Sequence, residues 1–349
     1  LHPGSEVDLR TWFNATLRPK LLAHLDIGER SERTLEEYDA ALAHWEQKAV
    51  VDGKRNPAVG LISETVVIEF RRRLLKEPYF KGKGDKKRSR TNQTVNKVMR
   101  HLRAIIRTLF AKDSHNPNGA GLIELFAWPE ELKRQGRFVF TFDRKQLSAL
   151  YLATRSCKSD SKFASAKSPM HCAAKWRTAL ALALNSGPRS WDLFGLPWSA
   201  IHWDKFRYGA VWFQARKNAK VQMIPLNKVC RIHLEHLRSL YPDEEFIFQG
   251  FQKDSTFYRC WERISSAAGV PKAPFERMRK TCSTLHDDIC FGVGAFLLGH
   301  SPHGVNATWY DNPTPRVMRT VYQLKCPAEF RRGAKQLAQS KRSSGTQSS

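Results

Sequence analysis

Four short segments in the second half of the chain bring together side chains that could do chemistry as a set. They are Ser186-Gly187-Pro188-Arg189-Ser190-Trp191-Asp192-Leu193; Arg216-Lys217-Asn218-Ala219-Lys220; Glu276-Arg277-Met278-Arg279-Lys280-Thr281; and Leu297-Leu298-Gly299-His300, with Tyr310 ten residues further on. Arginine offers a planar fork of donors that stays charged at neutral pH, lysine a mobile cation, histidine a proton carrier and tyrosine a phenol that can act as a nucleophile. Each also has an ordinary structural role when taken singly. Arg189 could complement a helix macrodipole, Lys217 and Lys220 could solubilise a hairpin, His300 could cap a helix and Tyr310 could fill a core. Only the joint pattern points to a site. The chain has no metal-ligand spacing and no phosphate-cradling P-loop.

The charge of the whole chain indicates what such cations would meet. Among 349 residues, 58 Lys and Arg stand against 33 Asp and Glu, a formal net charge of +25. A globular chain this basic is suited to a polyanion, because each neutralised phosphate releases condensed counterions. Hydrophobic residues make up 41% and aromatics 11%, so cores can form and disorder is excluded for most of the length. No apolar run approaches the ~18 residues of a spanning helix, and no terminal segment joins a bulky apolar face to a basic one, so no membrane partner is expected. The first residues show no basic stretch leading into an apolar one. Seven scattered Cys form no C-x-x-C pair and read as reduced thiols of a cytoplasmic protein.

Hydrophobic periodicity predicts the elements that must hold these segments. Helices are expected over 31–47, where Thr34 and Glu37 have capping-box spacing, over 62–76, and over 94–110 with Val95, Val98, Met99, Leu102, Ile105 and Ile106 inward. Between the last two, residues 71–90 carry ten basic and two acidic side chains, in a stretch whose Gly-rich part reads as a loop without fixed structure. Arg88, Arg90, Lys97, Arg100 and Arg103 form the expected DNA-facing set of this region, with almost no acidic partners beside them. Residues 1–120 make one helical domain, 121–140 a linker, 141–332 a second domain and 333–349 a disordered basic tail. In the second domain, helices are expected at 143–154, 174–185, 227–240, 255–267, 279–290, 292–299 and 315–324. Three short antiparallel strands are expected within 200–226, with Lys217 and Lys220 in the last turn. The fold class is mainly α with a small antiparallel β-sheet.

In order and spacing, residues 141–325 resemble the tyrosine recombinases, or phage-type integrases. That family has Arg in a G-x-R-x-x-[DE]-L turn, Lys in a β-hairpin, an H-x-x-R helix start, an L-G-H segment and Tyr about ten residues on. Residues 10–115 resemble more loosely its helical core-binding (SAM-like) domain. The resemblance implies site-specific DNA strand exchange through a 3′-phosphotyrosyl intermediate, with no metal or nucleotide cofactor. It implies Arg189 and Arg279 as a clamp on the phosphate, Lys217 or its rival Lys220 as the donor to the leaving 5′-oxygen, His300 as a hydrogen-bond donor and Tyr310 as the nucleophile. Asp192 matches the family's acidic position in the first turn. Glu276 stands where the family most often has His, and could accept the tyrosine proton; Lys280, where many relatives have a second His, could supply compensating charge on the DNA side.

The implied assembly is a nucleoid-associated homotetramer on two DNA duplexes, each subunit closing two domains around double-stranded DNA as a C-shaped clamp. Accessory DNA-bending proteins are possible partners. The apolar stretch 315–332 is the segment expected to pass to a neighbouring subunit. Two other readings use the same residues. One is an architectural DNA-binding protein, impaired by the Glu276 change; the other is a nicking-closing enzyme of the type IB topoisomerase kind.

Overall fold

The computed structural model describes residues 5–26, 32–76, 79–80, 87–112, 116, 119–133, 136, 140–156, 169–214, 221–251, 255–299 and 314–345. The chain divides into two compact units, Leu1–Arg137 and Phe138–Ser349. Among the described residues no helix is long and apolar enough to cross a membrane.

The first unit is helical: α1 (Leu9–Trp12), α2 (Arg18–Asp26), α3 (Glu32–Lys48), α4 (Glu64–Lys76) and α5 (Asn92–Ile106). Asp8 starts α1 by accepting from the amides of Arg10 and Thr11 at 2.9 and 3.1 Å, the usual way of satisfying donors at a helix start. A π-helical turn over Phe13–Leu17 joins α1 to α2. The predicted stripe of α5 is the buried one, with Val95, Val98, Met99, Leu102, Ile105 and Ile106 all inward. It packs with Trp45 of α3 and Phe70 of α4, whose rings lie 5.1 Å apart.

Three sequence expectations are corrected in this unit. Thr34 lies inside α3 because the helix has already begun at Glu32, so Glu37 is free to pair elsewhere than in a capping box. It accepts from Lys97 Nζ of α5 at 2.7 Å and from Arg33 at 3.2 Å. The α5 face therefore does have acidic partners, since Arg100 also lies 3.6 Å from Glu131. Within the stretch read as a loop, Tyr79–Phe80 and Lys87–Arg88 pair as an antiparallel hairpin.

The second unit contains α6 (Arg144–Ala153), α7 (Pro169–Ser186), α8 (Ser190–Phe194), α9 (Lys228–Leu240), α10 (Ser255–Ala267), α11 (Arg277–Asp287), α12 (Val293–Leu297), α13 (Thr314–Gln323) and α14 (Ala328–Gly345). Its sheet has three antiparallel strands in sequence order, Ile201–His202, Ala210–Gln214 and Val221–Pro225, with Val211 opposite Ile224. The fold class is the expected one, mainly α with a small antiparallel sheet. Trp176 of α7 sits at the centre, 5.0 Å from Phe257 and 6.2 Å from both Trp261 and Phe275. The residues of α7 from Ala179 to Ser186 are all buried, so this helix is the post around which the site is built.

The C-terminal expectations change most. Composition predicts no structure over 333–349, yet α14 is helical through Gly345. Val317, Val321, Leu324 and Phe330 are buried in the core of their own unit, whereas their apolar character suggested a segment for a neighbouring subunit. One contact of this segment spans a long stretch of sequence. The Phe330 ring is 4.6 Å from that of Tyr151, and Gly333 permits the approach, since a Cβ there would lie 2.0 Å from the Tyr151 hydroxyl.

Candidate active site

The first arginine sits where α7 stops. Gly187 takes a left-handed φ of +58°, which L side chains adopt only at a cost. A Cβ there would lie 3.2 Å from both Cys282 Sγ and Leu298 Cδ2. Pro188 follows, and Arg189 is the residue that caps α8, with extended ψ of 153°. The Arg189 amide donates to Asp192 Oδ2 at 2.9 Å. The acidic residue of the turn thus fixes the backbone from which Arg189 projects, leaving that side chain exposed.

The second arginine comes from α11. Its guanidinium reaches across to both neighbouring segments: Nη1 donates to Gly187 O at 2.5 Å and Nη2 to Leu298 O. Leu298 is held in range by the packing of α12 on α11. A Cβ at Gly294 would lie 2.4 Å from Ser283 O, and the Gly294 amide donates to Asp287 Oδ1 at 2.8 Å. Burial lowers the Arg279 pKa to about 10; proximity to the Arg189 cation adds to this, and Asp192 opposes it. The two cations therefore share one region with Asp192 between the effects.

Glu276 occupies the cap position of α11, where the Arg279 amide donates to its carbonyl at 3.2 Å. Its carboxylate accepts from Ser190 Oγ at 3.0 Å. Burial, with the nearby Glu276 charge adding to it, pushes the phenol of Tyr258 on α10 above the usual value. Sequence reasoning missed Ser190 and Tyr258, because their link to Glu276 spans distant parts of the chain and leaves no local pattern. Lys280 is exposed on the next residue of α11.

The strand Val221–Pro225 is tied to the same region through Gln222, whose Nε2 donates to Phe296 O. Lys217, Lys220, His300 and Tyr310 lie outside the described residues. Tyr322 is nearby in sequence and is engaged otherwise: its hydroxyl accepts from the Arg207 amide at 3.2 Å, and its ring meets Tyr208 edge-on. Among the described residues no group of three or more His, Cys, Asp or Glu is arranged to hold a metal ion.

In the first unit, the expected DNA-facing residues have the following surroundings. Lys97 pairs with Glu37 and Arg100 with Glu131. Arg90 Nη1 donates to Leu74 O at 3.4 Å, and Arg103 lines a cavity with Arg107, Phe110, Phe126 and Trp128. The backbone of Arg88 is in the small hairpin.

No family model matches the chain, and no curated protein matches it. Solved structures do. Lambda integrase, as a dimer bound to a COC′ core site, superposes with a TM-score of 0.57 at 17% identity, covering 89% of this chain and 79% of that one. Lambda integrase as a tetramer bound to a Holliday junction gives 0.55 at 17% identity, covering 88% and 78%. The XerH site-specific recombinase bound to a palindromic difH substrate gives 0.52 at 15% identity, covering 76% and 73%. The chain thus has the fold of the lambda integrase core-binding and catalytic domains.

Proposed function

We propose that the protein exchanges DNA strands at specific sites through a covalent 3′-phosphotyrosyl intermediate. The observation that carries this reading is Arg279, bridged between Gly187 O and Leu298 O beside Arg189, on a fold shared with DNA-bound recombinases. Tyr310 is the proposed nucleophile. Its phenolic oxygen attacks the scissile phosphorus as its proton leaves to a base or water, and a pentacoordinate phosphorane forms with extra charge on the non-bridging oxygens. Arg189 and Arg279 offer forked donors to those oxygens, and their contacts strengthen as the charge develops. The 5′-oxygen leaves with a proton from Lys217, with Lys220 as the alternative donor, and His300 donates a hydrogen bond to the phosphate. The phosphotyrosyl ester conserves the bond energy, so a 5′-hydroxyl of a second duplex can reverse the step and rejoin the strands.

Double-stranded DNA is the proposed partner, and a tetramer on two duplexes the proposed working assembly; Lys280 and the basic residues of the first unit supply phosphate contacts. The test uses a nicked suicide duplex built from the DNA flanking the protein's own gene. Wild-type protein is expected to give an SDS-stable adduct, and Tyr310→Phe to bind the duplex without forming one. An adduct that persists in Tyr310→Phe refutes the assignment of the nucleophile. DNA binding with no wild-type adduct favours the architectural reading.

A further inference from the structure

Glu276 occupies a position where a carboxylate looks out of place, three residues before Arg279 and beside the proposed phosphate clamp. Its surroundings account for it. Ser190, the residue next to Arg189 and 2% exposed, donates to its Oε1 at 3.0 Å. Phe275, which directly precedes Glu276, is anchored in the core by Phe257 and Trp261 of α10, at ring distances of 5.5 and 5.2 Å. One carboxylate therefore joins two elements: the α8 turn that carries Arg189 and the core-anchored start of the α11 helix that carries Arg279.

We propose that Glu276 is a positioning residue: a brace, completed by Ser190, that sets the spacing of the Arg189 and Arg279 guanidiniums. The inference rests on the reading of those arginines as the phosphate clamp. The Ser190 hydroxyl that donates to this carboxylate belongs to the turn that carries Arg189, so the arrangement suits a tie between the two arginine-bearing elements. A carboxylate here also returns some negative charge to a region where two guanidiniums repel each other.

The brace makes separable predictions. Glu276→Gln keeps an oxygen that can accept from Ser190. It is expected to form the DNA adduct within about fivefold of the wild-type rate and with an unshifted pH profile. Glu276→Ala and Ser190→Ala each remove one partner of a charged hydrogen bond and are expected to slow adduct formation roughly tenfold or more, with little change in DNA affinity. The Glu276→Ala/Ser190→Ala double variant is expected to be no slower than Glu276→Ala alone, because both changes break one unit. Should Glu276→Ala fail to fold, Ser190→Ala and Glu276→Gln still decide the matter. A Glu276→Gln variant as inactive as Tyr310→Phe, or one whose acid limb moves, makes Glu276 a base and overturns the brace; so does a multiplicative double variant.

A second readout needs no activity. Ser190→Ala and Glu276→Ala are expected to be coupled by at least about threefold in the unfolding equilibrium of the DNA-free protein. Independent effects there refute the brace. An absent wild-type adduct, with that coupling intact, refutes strand exchange and leaves the brace standing.

Discussion

Gly187 provides a sharp test of how the site is held. Gly187→Ala places a side chain at φ +58°, a left-handed conformation that costs a non-glycine residue roughly 1–2 kcal/mol. The new Cβ also lies 3.2 Å from Cys282 Sγ and from Leu298 Cδ2, and both residues are buried. Overpacking of this kind costs about 1–3 kcal/mol, so the total is about 2–5 kcal/mol, or about 4 to 20 °C in Tm for a unit of this size. Gly269 is the internal control. Its φ is +63°, and a Cβ there meets nothing within 4 Å, so Gly269→Ala should cost only the backbone share, roughly 1–2 kcal/mol. Urea titration of both variants, followed by tryptophan fluorescence, measures the difference. Well below its Tm, Gly187→Ala should also cleave DNA at least about tenfold more slowly, because the displaced Gly187 carbonyl anchors Arg279. Equal costs for the two variants, or a Gly187→Ala protein as stable as wild type, would refute the packing argument.

Two further predictions concern charge. Arg279→Lys can reach only one of the two carbonyls now bridged, so adduct formation should fall about 10- to 100-fold with DNA affinity nearly unchanged; a wild-type rate would show that the fork is unnecessary. Acid should weaken the second unit through His233, whose pKa burial lowers to about 3, with Arg177 and His236 adding to the shift. The unfolded chain takes up the proton near pH 6.5 and the folded chain does not, so this stability is fully present above about 6.5. It is lost as pH falls toward 3, at up to about 1.4 kcal/mol per pH unit. Buried His286 is lowered by burial as well and adds to the same window. The urea midpoint should therefore drop from pH 6.5 to 4, with a shallower slope in His233→Gln; an unchanged slope would clear His233.

Much of the frame was legible because burial follows periodicity. The apolar stripe of α5 and the alternation in the three strands are local signals, and both are realised at the expected positions. So are the turn and helix start that carry Arg189 and Arg279, where Gly187 and Asp192 impose the local backbone. What escaped depends on contacts between distant residues. The Ser-, Gln- and Lys-rich composition of α14 hides its few apolar anchors, yet Phe330 and Gly333 dock on Tyr151. Lys97 reads as a free cation until Glu37, 60 residues earlier, reaches it. Tyr258 reads as one more aromatic on an amphipathic helix, and only the fold brings it to Glu276.

Strand exchange itself is tested most directly by incubating the protein with two duplexes that carry the junction sequences beside its own gene, in the presence of EDTA, and resolving the products by length. Reciprocal recombinant duplexes that form with wild-type protein and disappear with Tyr310→Phe are the predicted result. Nicking and relaxation of supercoiled DNA without recombinants, or binding with no strand cleavage, would contradict the account.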